Sequence, residues 1–172
     1  MRYLKRIMTL LGMLLLLAVV AVAALHRNRE IATSIWIDRP PSDVWRVLTT
    51  AAEYPAWNPM ISHISGELRE GSIIEVDLGS PVSDSTVFHP TVLVVRPDRE
   101  LRWLGHVGMT GIFDGEHRFL LEASGTGTRL VQSERFSGWL VGRLTDTLLD
   151  DTLDQMKAMN LALKQRVEGT SH

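Results

Sequence analysis

The chain has 172 residues and contains no cysteine. It therefore has no disulfide framework and no zinc-type spacing of cysteine and histidine. The absence of a free thiol is compatible with an oxidising compartment, although many cytosolic domains also lack cysteine. No internal repeat or low-complexity stretch is visible, so the sequence does not indicate a repeat architecture.

Positive charge is scarce beyond the N-terminus. Of the 18 basic residues, Arg2, Lys5 and Arg6 lie in the first six positions, which leaves 15 against 20 acidic residues and a formal charge of −5 for the rest of the chain. No run of lysine or arginine follows Arg29. Because phosphate binding needs clustered positive charge, we expect no nucleic-acid partner.

An uncharged, largely apolar segment covers residues 7–25, behind a basic N-terminus at residues 1–6. Its length is close to the about 20 residues that a helix needs to cross a membrane, and it exceeds the about 7–15 of a cleaved signal. We therefore expect a single-pass transmembrane anchor, with secretion after cleavage near residues 21–23 as the alternative. The excess of positive charge before the segment predicts that the domain lies on the extracytoplasmic side.

Residues 26–30 are predicted to be a short linker, residues 31–168 one domain and residues 169–172 a tail. Alternation of apolar and polar residues predicts seven strands in the domain, with two short helices after the first. The strands cover residues 31–37, 61–68, 72–78, 86–96, 101–107, 111–122 and 128–136.

A helical pattern follows the last strand. From Trp139 to about Val167 apolar residues recur at spacings of three and four, which predicts an amphipathic helix of about 28 residues. A helix of that length needs a broad apolar surface to lie on, and a curved antiparallel sheet supplies one. The predicted fold class is α+β.

The order of these elements and several short motifs resemble the START-like, or SRPBCC, superfamily in its polyketide cyclase/dehydrase-like branch. The motifs lie at residues 37–45 (IDRPPSDVW), 54–59 (YPAWNP), 101–103 (LRW), 113–119 (FDGEHRF), 128–130 (TRL) and 134–138 (ERFSG). The resemblance implies a helix-grip fold, in which a curved sheet surrounds the C-terminal helix and leaves an apolar cavity. Members bind lipids, sterols, polyketides or other hydrophobic molecules, and some catalyse cyclisation.

Strand alternation assigns the side chains that face this cavity. His117 is the titratable group on the inward face of its strand, and Glu134 lies on the inward face of the next strand. The expected ligand-binding residues are Trp103, Phe113, His117, Phe119, Leu121, Leu130, Gln132, Glu134, Leu148, Thr152 and Met156.

His117 and Glu134 allow three interpretations. They are a general acid/base pair in the first, because a histidine pKa near the reference of about 6.5 suits proton transfer. In the second, His117 is a satisfied polar residue and Glu134 pairs with an arginine at the rim. In the third, both residues orient a ligand without any reaction.

No nucleophile or cofactor motif is present, and we expect no cofactor. His63, His89 and His106 lie on strands other than that of His117 and form no close-spaced pair, so we expect no metal. The sequence favours a membrane-anchored protein that binds a hydrophobic small molecule or lipid. A cyclase/dehydratase-like enzyme that uses His117 and Glu134 is one alternative, and a protein–protein interaction module that assists a membrane complex is another.

Overall fold

The computed structural model describes residues 2–25, 27–79, 86–143 and 146–169. The elements in chain order are helix α1 (Arg2–Leu25), strand β1 (Arg27–Ile37), helices α2 (Pro41–Thr49) and α3 (Tyr54–Trp57), strands β2 (Ile61–Ser65), β3 (Glu75–Leu78), β4 (Thr86–Phe88), β5 (Thr91–Arg96), β6 (Glu100–His106), β7 (Asp114–Ser124) and β8 (Gly127–Gly138), and helix α4 (Asp146–Gly169). Short 3-10 turns precede α3 at Ala51–Glu53 and α4 at Val141–Arg143.

The strands form two antiparallel sheets, whereas the sequence predicted one sheet of seven strands. The larger sheet has the order β1-β8-β7-β6-β5, and the smaller sheet has the order β2-β3-β4. The predicted strand at residues 86–96 is divided at Pro90, because proline has no N–H to donate to a ladder. Its first part pairs with β3 and its second part pairs with β6.

Helix α4 packs on the larger sheet, and this confirms the α+β fold with a C-terminal helix on an antiparallel sheet. Its buried positions recur at spacings of three, four and seven, as expected for one face of a helix. They are Leu149, Met156, Met159, Asn160, Leu163 and Val167.

The helix begins at Asp146, later than the predicted start at Trp139. The backbone N–H groups of Trp139 and Leu140 donate to the carbonyl oxygens of Gly111 and Ile112, at 3.2 and 3.0 Å. These two residues therefore pair with a neighbouring loop as an extension of β8. Their backbone donors are already engaged before the helix starts.

Strand β1 begins at Arg27, so residues 27–30 belong to the sheet and not to a linker. Arg27 to Glu30 pair with Gly138 to Arg135 of β8, which satisfies the backbone groups that face this neighbour. Helix α4 extends to Gly169. His26 and residues 170–172, which complete the predicted linker and tail, lie outside the described residues.

Helix α1 contains the whole apolar segment of residues 7–25. Its large apolar side chains from Ile7 to Val20 that the structure describes are more than half exposed. Among the described residues, no helix combines the length and the apolar character that a membrane span requires. A membrane anchor at residues 7–25 stays a prediction.

Two hydrogen-bonded contacts hold the helices in place. The Glu168 carboxylate near the end of α4 accepts a hydrogen bond from the Asp38 backbone N–H at 2.8 Å and contacts Lys164. The Lys164 and Asp38 hydrogen bonds hold the pKa of Glu168 below its ordinary value.

A second contact joins α3 to α2. The buried Tyr54 hydroxyl of α3 donates to the Leu48 carbonyl of α2 at 2.7 Å, and burial raises the pKa of Tyr54.

Replacing Leu163 by alanine tests how α4 is seated. Leu163 is fully buried against the sheet, whereas Leu161 on the same helix is 48% exposed. We expect Leu163→Ala to lower the free energy of unfolding by about 2–5 kcal/mol, because it leaves a cavity in the core. Leu161→Ala is the matched control and should change it by less than about 0.5 kcal/mol. Urea denaturation measures both, and equal losses would contradict this packing of α4.

Candidate functional site

A cavity of about 380 Å³ lies between the two sheets and the first turns of α4. This volume falls within the about 300–1,000 Å³ of small-molecule pockets. Most of the lining is apolar. The apolar lining residues are Met60, Ile61, Val76, Leu78, Phe88, Pro90, Trp103, Val107, Phe113, Phe136 and Leu148.

A histidine and a glutamate face each other in the cavity wall. His117 of β7 and Glu134 of β8 are direct cross-strand partners, so their side chains project from the same face of the sheet. His117 Nδ1 lies 2.5 Å from Glu134 Oε2, and the two side chains are 6% and 13% exposed. The structure therefore brings together the two residues that the sequence singled out. The partner of Glu134 is His117 and not an arginine at the rim.

The second imidazole nitrogen is also engaged. Gln132 Nε2 lies 2.9 Å from His117 Nε2 and donates a hydrogen bond to Met159 Sδ at 3.3 Å. The other ring nitrogen, Nδ1, faces the Glu134 carboxylate, which accepts a hydrogen bond from it. Both ring nitrogens are thus used within the protein.

Aromatic rings hold the imidazole in this orientation. Trp103 of β6 stacks on His117 with ring centroids 5.3 Å apart and an angle of 12° between the planes. The Phe119 ring lies 4.7 Å away at a tilt of 49°. With hydrogen bonds at both nitrogens and rings against its faces, the His117 side chain has little freedom to rotate.

Gly115 makes room for the other carboxylate oxygen of Glu134. A Cβ atom at Gly115 would lie 2.6 Å from Glu134 Oε1, closer than carbon and oxygen approach without a bond. Gly115 and Glu134 both line the cavity. The Oε1 atom therefore occupies the space above Gly115 and faces the cavity.

Within the described part of the chain, neither lysine nor arginine lines the cavity. The other polar lining side chains are His106, Thr152 and Gln155. The Thr152 hydroxyl donates to the Leu148 carbonyl at 2.8 Å, so its hydrogen is already used. The Glu134 carboxylate is consequently the acidic group of this lining, and no lysine or arginine there balances it.

The predicted ligand-binding residues fall into two groups. Six line the cavity: Trp103, Phe113, His117, Glu134, Leu148 and Thr152. The other five do not: Phe119, Leu121, Leu130, Gln132 and Met156 are buried away from the space. Alternation along a strand identifies the inward face but not the point where core packing gives way to a cavity. Ligand contact by any of them stays a prediction.

Sequence reasoning missed the wall that the smaller sheet supplies and the part played by Gly115. Ile61, Val76, Leu78 and Phe88 come from this sheet, which the prediction merged with the larger one. Gly115 shares an inward face with His117, and a glycine at such a position is a signal for the close approach of another group.

Of the three histidines that the sequence set beside His117, His106 lines the cavity, whereas His63 and His89 do not. His89 lies 3.4 Å from Glu75 on the smaller sheet, and His63 is exposed on β2. No group of three or more histidine, aspartate or glutamate side chains suited to a metal ion occurs among the described residues.

Residues 28–168 match the family described as polyketide cyclase / dehydrase and lipid transport. Because the match covers most of the chain, the protein belongs to this family. No curated protein matches the sequence significantly.

Solved structures share the fold at low sequence identity. Ara h 8.0201 is 14% identical with a TM-score of 0.66, and the match covers 84% of this chain and 100% of that one. A protein from Thermus thermophilus is 16% identical with a TM-score of 0.67, over 84% of this chain and 100% of that one. An aromatase/cyclase from Streptomyces sp. R1128 is 15% identical with a TM-score of 0.65, over 83% of this chain and 94% of that one.

The Gly115→Ala variant tests the contact between Gly115 and Glu134. The added methyl group should displace the carboxylate and weaken its hydrogen bond to His117, at a cost of about 1–3 kcal/mol in the free energy of unfolding. The imidazole Nδ1–H resonance in NMR spectra reports the bond directly and should move in the variant.

Gly105→Ala is the matched control, because a Cβ there would meet Pro90 at an ordinary 3.7 Å. Both glycines line the cavity, and neither has a positive φ. An unchanged Nδ1–H resonance in Gly115→Ala would contradict the placement of the carboxylate.

Proposed function

We propose that the protein binds a hydrophobic small molecule or lipid in the cavity between the sheets and α4. The observation that carries this proposal is the mostly apolar cavity of about 380 Å³ with a single carboxylate–imidazole pair in its wall. A few fixed polar groups in an apolar pocket orient a ligand, which is the usual design of a binding site. Membership of a family described by cyclase, dehydrase and lipid transport activities is consistent with it.

The hydrogen bonds of His117 favour binding over catalysis. A general base needs a nitrogen within reach of the substrate proton. Here Nδ1 is turned to Glu134 and Nε2 is paired with the Gln132 amide. A histidine held in this way supports and orients the carboxylate beside it.

A cyclase/dehydratase-like enzyme is the second candidate. The observation that favours it is the free Glu134 oxygen over Gly115, which faces the cavity while His117 holds the other oxygen. In such an enzyme Glu134 would remove a proton from the substrate and His117 would be the positioning residue. An aromatase/cyclase shares the fold, although its 15% identity carries no more than that.

We further propose that helix α1 keeps the domain at a membrane, on its extracytoplasmic side. Leu14 and Leu15 of this helix are 62% and 68% exposed, and residues 7–25 carry no charge. Strand β1 follows the helix and pairs Arg27 with Gly138. That end of the sheet also holds His106, which lines the cavity. The strand that follows α1 therefore begins at the end of the sheet where His106 lies.

Uptake of an uncharged apolar probe tests the binding function. The full chain, kept in solution by an amphipathic polymer, should enhance the fluorescence of N-phenylnaphthylamine. Trp103→Arg should weaken uptake at least about tenfold, because it replaces an apolar wall with a charge that is costly to bury. Trp139→Arg changes a half-exposed tryptophan outside the lining and is the matched control.

Absence of uptake by the wild-type chain would overturn the binding proposal. The proposal is supported if the wild-type chain and Trp139→Arg take up the probe and Trp103→Arg does not. The two candidate functions separate when the molecule that copurifies is identified by mass spectrometry and returned to the protein. A binding protein releases it unchanged, whereas an enzyme converts it.

Membrane association can be measured by fractionation of cells that express the chain. The full chain should sediment with membranes and remain there after a high-salt wash, because apolar burial is insensitive to charge screening. A chain that begins at residue 27 should stay in the supernatant. Recovery of the full chain in the soluble fraction would contradict this part of the proposal, and N-terminal sequencing would identify cleavage.

A further inference from the structure

The free oxygen of Glu134 defines the kind of ligand that the cavity accepts. We propose that the ligand is an uncharged, largely apolar molecule with one hydroxyl group, which donates a hydrogen bond to Glu134 Oε1. This inference rests on the proposed binding function and adds the chemical class of the ligand.

The first step concerns the hydrogen bonds of Glu134. Its Oε2 atom accepts from His117 Nδ1, whereas Oε1 lies over Gly115 at the cavity surface. Among the described residues, the side-chain hydrogen bond that Glu134 accepts is the one from His117, and it goes to Oε2. A carboxylate oxygen in a mostly apolar cavity is costly without a donor. A hydroxyl group of the ligand supplies that donor.

The second step excludes anionic ligands. A fatty-acid carboxylate at this position would lie beside the Glu134 carboxylate. In the described lining no lysine or arginine compensates the repulsion, and the His117 proton is already donated to Glu134. Like charges at close range in a poorly solvated site are strongly unfavourable.

The third step favours a hydroxyl group over a charged amine. An ammonium must lose its hydration shell to enter a cavity walled by residues such as Phe113, Phe136 and Trp103. That desolvation costs several kcal/mol per ion, whereas a hydroxyl loses much less. One carboxylate oxygen can satisfy one hydroxyl hydrogen fully but can satisfy only part of an ammonium.

Competition against bound N-phenylnaphthylamine tests the proposal on the full chain. Three competitors share a chain length: dodecanol, its isomer methyl undecyl ether, and dodecanoate. Dodecanol should displace the probe roughly tenfold better than the ether, since only the alcohol donates a hydrogen bond to a charged acceptor. Dodecanoate should be the weakest of the three.

The Glu134→Gln variant should remove the preference for the alcohol. The glutamine carbonyl replaces Oε2 as the acceptor for His117, which turns the amide N–H toward the cavity. An alcohol and an ether oxygen accept that N–H equally well. The matched control is Glu116→Gln, because Glu116 lies on the neighbouring strand β7 but pairs with Arg102, away from the cavity lining. The preference of Glu116→Gln for dodecanol over the ether should equal that of the wild type.

Gly115→Ala provides a second variant that keeps the carboxylate but displaces it, and it should also reduce the preference. Equal competition by alcohol and ether in the wild type, or strong competition by dodecanoate, overturns the ligand class while the binding function stands. Failure of the wild-type chain to bind the probe overturns both.

Discussion

The cavity depends on how unevenly α4 is buried along its length. Met159, Leu163 and Val167 are almost fully buried, and they close the helix onto the sheet. About two and three turns before Met159, Thr152 and Leu148 line the cavity. Glu168 fixes the closed end through the Asp38 backbone N–H. One amphipathic helix therefore packs in the core near its C-terminus and lines the cavity near its N-terminus.

The pairing register of β7 and β8 decides where charge lies. His117 opposite Glu134 places both on the face that lines the cavity, and a slip of one strand by one residue would put one of the two on the outer face. On the outer face the buried Glu100 carboxylate contacts Arg118 at 2.8 Å and Arg96 at 3.4 Å. Acidic groups there have arginine partners, whereas Glu134 has a histidine that keeps its charge available to the cavity.

Local patterns predicted the elements but not the cavity that they enclose. Alternation of residue types placed His117 and Glu134 on the inward face, and their pairing follows from the hairpin between β7 and β8. The wall from the smaller sheet depends on the break at Pro90, which sends two halves of an apparent strand to different partners. Contacts between distant segments determine which inward side chains pack in the core and which line the cavity. The alternation of residues along one strand does not contain that information.

Gln132 determines whether the site favours binding or catalysis. Its amide nitrogen lies beside His117 Nε2 and Met159 Sδ, and its carbonyl oxygen is buried without a hydrogen-bond partner among the described residues. The amide therefore covers the Nε2 side of the imidazole, while Nδ1 is turned to Glu134. Neither ring nitrogen is left for a substrate proton, which a general base needs within reach. His117 consequently holds Glu134 in place, and the carboxylate is the group of the pair that faces the cavity.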